Sequence, residues 1–116
     1  MAPAMPKVTK RERALLRELA GEAWESELRS ELEDLFEVFL KWADSGMDSF
    51  ELSDRIHEFH NGISRELYSR YTGLDPEITV PRAVAMGILG EQQLGDALLE
   101  KLAPQIEAYR GRISEG

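Results

Sequence analysis

The chain has two histidines, and both lie in the stretch Asp54-Arg55-Ile56-His57-Glu58-Phe59-His60. Residues three apart on a helix share a face, so Asp54, His57 and His60 have the spacing of a transition-metal site with imidazole and carboxylate ligands. Only Phe59 separates Glu58 from His60, whereas the zincin motif needs two residues at that point. The helical period turns His57 away from the apolar positions Leu52, Ile56, Phe59, Ile63 and Leu67, and leaves His60 at their margin beside Leu67 and Tyr71. The expectation is a solvated His57, a His60 bonded to a neighbour, and no metal bound by the pair.

Two acidic motifs offer a second chemistry. Glu31-Leu32-Glu33-Asp34 is followed, after sixteen residues, by Glu51-Leu52-Ser53-Asp54. In spacing they resemble the E-x-x-E then E-x-x-D signature of the all-α nucleotide pyrophosphohydrolases of the MazG type, with Asp34 standing where that signature has its second Glu. The resemblance implies a small helical enzyme whose carboxylates Glu31, Asp34, Glu51 and Asp54 hold Mg²⁺ against a nucleoside triphosphate. The helical period gives a different reading of the same residues. Glu31 and Asp34 fall about 60° and 120° off the apolar stripe of their helix, and Glu51 and Asp54 face away from theirs. On that reading they are solvated, and no catalytic residue or cofactor is assigned.

Other catalytic patterns are missing. The chain has no G-x-S-x-G, and Met86-Gly87-Ile88-Leu89-Gly90 lacks the Lys-Ser/Thr of a phosphate-binding loop. Arg65, Tyr68, Arg70 and Tyr71 gather late in one helix, so a third reading is a non-catalytic bundle that takes a small ligand near His60, Tyr68 and Tyr71. Glu66 with Arg70 and Glu51 with Arg55 are ordinary i,i+4 pairs that support a helix surface.

These residues must be positioned by helices. Thr9-Lys10-Arg11-Glu12 and Asp48-Ser49-Phe50-Glu51 both have capping-box spacing, and Ser45-Gly46 stops the first helix with glycine suited to the left-handed position. The second helix closes at Gly73, giving an antiparallel hairpin with a tight connection. A slim third helix starts near Thr79-Val80-Pro81, and Asp96 caps a last one with Leu98, Leu102, Ile106 and Tyr109 inward. Pro104 lies opposite that stripe and should kink or split the helix. No stretch alternates with period two. The fold class is all-α, a small bundle of about four helices, with residues 1–8 as leader, 9–113 as one helical domain and 114–116 as tail.

The chain contains no cysteine, which excludes disulfides and a thiol nucleophile. With no apolar run long enough for a bilayer and no secretory block in residues 1–8, the expected compartment is the cytoplasm and no membrane is involved. Net charge is −8 over 116 residues, which disfavours nucleic acid as a partner. The charge is uneven: residues 1–17 carry five bases against one acid, and residues 18–60 carry thirteen acids against three bases.

Within the first helix the apolar face changes. Trp24, Leu28, Leu32, Leu35, Phe39 and Trp42 form one stripe, and Leu15, Leu16, Leu19 and Ala23 lie about 150° away from it, with the pivot near Gly21. Either the helix breaks there and folds back, or one long helix serves two partners. Unbroken, it would be about 52 Å long against about 36 Å for its hairpin neighbour. These lengths lead to the expectation of a homodimer closed through Leu15, Leu16, Leu19 and Ala23, in a protein that acts by protein–protein contact.

Overall fold

A computed structural model describes residues 7–115, so the expected leader lies outside the described residues except for Lys7 and Val8. Thr9 opens helix α1 (Lys10–Ala43) with a complete capping box. Its hydroxyl accepts the Glu12 N–H at 3.1 Å, and the Glu12 carboxylate accepts the Thr9 N–H at 2.9 Å. The helix is continuous through Gly21, where an added Cβ would meet nothing within 4 Å.

The end of α1 corrects one expectation. Ser45, and not Gly46, takes the left-handed conformation, with φ of 65°. Its N–H bonds to the Trp42 carbonyl and the Gly46 N–H to the Lys41 carbonyl, the paired bonds of a Schellman stop. Glycine fits position 46 closely, since a Cβ there would lie 3.2 Å from the Lys41 oxygen and press on it by a few tenths of an ångström.

Asp48 caps α2 (Ser49–Phe59), which passes through a π-helical turn, His60–Ser64, into α3 (Arg65–Gly73). The sequence reads as one plain helix here, because its apolar positions 56, 59, 63 and 67 already share one stripe of a regular helix. Beyond the π turn, Leu67 is 1% exposed and packs towards α1.

Helix α4 (Pro76–Ala85) starts at an Asp75 cap with Pro76 in its first turn, and ends at Gly87 with φ of 79°. A 3₁₀ turn, Glu91–Gln93, leads to α5 (Asp96–Glu115), which runs unsplit past Pro104 and includes residues 114 and 115 of the expected tail. Among the described residues there is no strand, and the molecule is a small all-α bundle.

Two bodies share α1. Its first half packs with α4 and α5 around Leu16, Leu19, Ala20, Ala23, Val80, Ala83, Val84, Leu98, Leu102 and Ile106, which we call the head. Its second half pairs with α2 and α3 to form a projecting arm. The Cα radius of gyration is 18.0 Å. A compact chain of this length would give about 13 Å.

This architecture corrects the proposed dimer surface. Leu16 and Ala23 are 0% exposed and Leu19 is 3% exposed, all covered by the chain's own α4 and α5, and Leu15 packs at the edge of the same core. The excess length of α1 lies on the last two helices, which reach back to cover it. One long helix does serve two partners, and both belong to its own chain.

Candidate functional site

Several large apolar side chains are uncovered on the arm. Leu32 is 45% exposed, Phe36 59%, Phe39 37% and Leu40 46% on α1, with Ile56 at 38% on α2. The wheel explains their position. Apolar residues of this half of α1, from Val38 round to Leu40, span about 200° at 100° per residue, far more than one neighbouring helix covers. Leu35 and Val38 border the groove against α2, together with Phe59 and Ile63. Leu28, Leu32 and Phe36 border the opposite flank, with Glu25, Arg29 and Glu33 around them. The α1 stripe read from sequence is therefore real, and only part of it meets the hairpin partner.

At the base of the arm is a half-buried charged cluster. Glu27 of α1 lies 3.4 Å from Arg70 of α3 and 3.6 Å from Arg82 of α4, and it accepts a hydrogen bond from the Tyr71 hydroxyl. Arg70 also reaches Glu66 at 3.0 Å. The Trp24 ring stacks on Tyr71 with centroids 6.0 Å apart and an interplanar angle of 8°, and meets Tyr68 edge-on. Burial first, and then the bond to Glu27, push the Tyr71 phenol far above its ordinary value of 10. The cluster ties together three helices that belong to the arm, the head, or both. Glu27 was missed in the sequence. Arg82 carried a signal, as the lone charge in the run from Ile78 to Met86.

The residues singled out for chemistry do not come together. Glu31 and Asp34 line a shallow depression of about 310 Å³ between α1 and α2, beside Arg55 and Glu58. Glu51 sits at the hairpin tip among Trp42, Gly46 and Asp48, and pairs with Arg55 at 3.8 Å. Asp54, His57 and His60 are exposed. Among the described residues, no three His, Asp or Glu side chains are grouped closely enough to hold a metal ion. Tyr71 is packed against Trp24 and Glu27, and Tyr68 leans on Trp24 from outside. No helix among the described residues is long and apolar enough to cross a membrane.

The chain matches no protein family, no curated protein and no solved structure.

Proposed function

We propose that this protein acts through protein–protein contact, with the arm as its contact element and the head as the body that anchors it. The observation that supports this is the concentration of exposed large apolar side chains on one flank of the arm, where Leu32, Phe36 and Leu40 follow one another along α1, while those of the head, Ile78, Met86 and Ile113, are set apart in sequence. Contiguous apolar surface of this kind usually marks an interaction site. Glu27, Arg70, Tyr71 and Arg82 would hold the arm at a fixed angle to the head, so the flank is presented ready-made. Homodimerisation belongs to this proposal, on the arm and not on the buried Leu16 face. A cytoplasmic place of action is part of the same reading.

Native mass spectrometry of the gently isolated protein, beside its Phe36→Glu variant, tests the contact. The expected result is an assembly heavier than the 13.2 kDa chain that the variant loses. A lone chain in both preparations would overturn the proposal.

A further inference from the structure

We infer that the occupant of the arm is a second copy of this chain, laid antiparallel along α1 about a twofold axis near residues 33 and 34. The inference rests on the contact reading above and names its partner.

Three features of the arm carry it. The first is the apolar row Leu28, Leu32, Phe36 and Leu40, which has spacings of four throughout. Reversed about residue 34, it falls on itself, with Leu28 opposite Leu40 of the second copy and Leu32 opposite its Phe36. A closed twofold contact needs this self-complementarity, because the same patch serves both sides. The row is about 18 Å long at 1.5 Å per residue.

The second is charge. Beside the apolar row runs Glu25, Arg29, Glu33, Glu37 and Lys41. Reversal about residue 33 sets Glu25 against Lys41 of the second copy and Arg29 against its Glu37, each twice by symmetry. Only Glu33, on the axis, faces its own kind. In a parallel twofold pair this flanking row would lie over the opposite flank of the second copy and lose these pairings, so the row favours the antiparallel register. The acidic character of the arm also sets it against anionic lipid surfaces.

The third is area. With a full side chain at about 180–200 Å², the uncovered fractions of Leu32, Phe36, Phe39, Leu40 and Ile56 come to roughly 400 Å² per copy. A standard interface of about 800 Å² per partner is a little over half apolar, so the two figures agree. The same register covers the most exposed aromatic side chain. Ser49 accepts a hydrogen bond from the Trp42 indole, which places Phe50, 84% exposed, at the level of residue 42. Level 42 reflects onto level 26 of the second copy, near its Trp24 and its half-exposed Tyr68.

Light scattering on the full chain at about 100 µM tests the occupant, with about 26 kDa expected for two 13.2 kDa chains. Phe36→Glu should give the single-chain mass with unchanged circular dichroism. Lys41→Glu should weaken the dimer about tenfold, and adding Glu25→Lys should restore most of that loss. Because the chain has no cysteine, Glu33→Cys supplies a sole thiol near the axis, and a short bis-maleimide should join two copies there. The exposed Glu107→Cys on α5 should stay unjoined. A wild-type mass of one chain overturns the second copy as occupant. If Phe36→Glu nevertheless abolishes a heavier native assembly with another protein, the contact reading survives that failure. A dimer that persists in Phe36→Glu overturns the arm as its interface, and one indifferent to the charge exchange overturns the register.

Discussion

Three helices meet on the Glu27 carboxylate, and its neighbours set how the molecule should respond to pH. The folded chain keeps the Tyr71 proton to higher pH than the unfolded chain, which releases it near 10. The folded state therefore binds more protons above that value, and stability should fall as pH climbs past 10. Tyr71→Phe should cost about 1–2 kcal/mol at neutral pH for the lost bond to a charged acceptor, and should flatten the alkaline decline in urea titrations. Glu12 works in the opposite direction. The Lys101 ammonium first, and then the Thr9 N–H, hold its carboxyl below the ordinary 4.5. Its contribution is present above that value and is lost as pH falls through the lowered one. The stability gap between wild type and Glu12→Gln should accordingly shrink as pH falls below the ordinary 4.5 in the same titrations. Glu31 and Asp34 make a further case. They share a depression that the helical wheel did not foresee, while Glu51 and Asp54 lie elsewhere, so calorimetric titration with Mg²⁺ should register no site. Saturable heat lost in Glu31→Ala would restore the hydrolase reading.

Helix ends were legible in part: α4 starts at Pro76 behind an Asp75 cap, three residues before the expected Thr79, and Asp96 lies inside α5 and does not cap it. Thr9 and Asp48 cap where their spacing said, because a cap is chemistry within four residues. The Ser45–Gly46 stop was legible in place but not in detail, since which of the two turns left-handed depends on the Lys41 carbonyl beside Gly46. Ser45→Gly should remove the strain of a side chain at φ of 65° and raise stability by about 0.5–1 kcal/mol, read as a higher midpoint in urea. The π turn was illegible, because the apolar positions on either side of it already fit one stripe of a regular helix. The fate of Leu16, Leu19 and Ala23 was illegible for a related reason. The periodicity of a helix shows that a face is apolar, and the chain 60 to 90 residues further on decides what covers it. Leu16→Ala should therefore cost about 2–5 kcal/mol, the price of a core cavity, and Phe36→Ala far less within a single chain. Chemical denaturation of both variants at a low concentration checks that contrast.

At the scale of the whole molecule, a single 34-residue helix belongs to both the head and the arm. Neither body can lose that helix without taking structure from the other, so one cooperative unfolding transition is expected despite the elongated shape. The tryptophans give a way to see it. The chain has two, Trp24 at the base of the arm and Trp42 at its tip, so tryptophan emission, excited selectively over that of tyrosines such as Tyr109 on α5, comes from the arm and not from the head. Far-ultraviolet ellipticity, by contrast, counts every helix. Followed together through a urea titration, the two signals should superimpose. An ellipticity loss that runs ahead of the emission change would mean that α4 and α5 peel away while the arm stays intact. Because a red shift on dilution alone would report solvent reaching the tip, the same two indoles also make the chain its own label for the association of its arms.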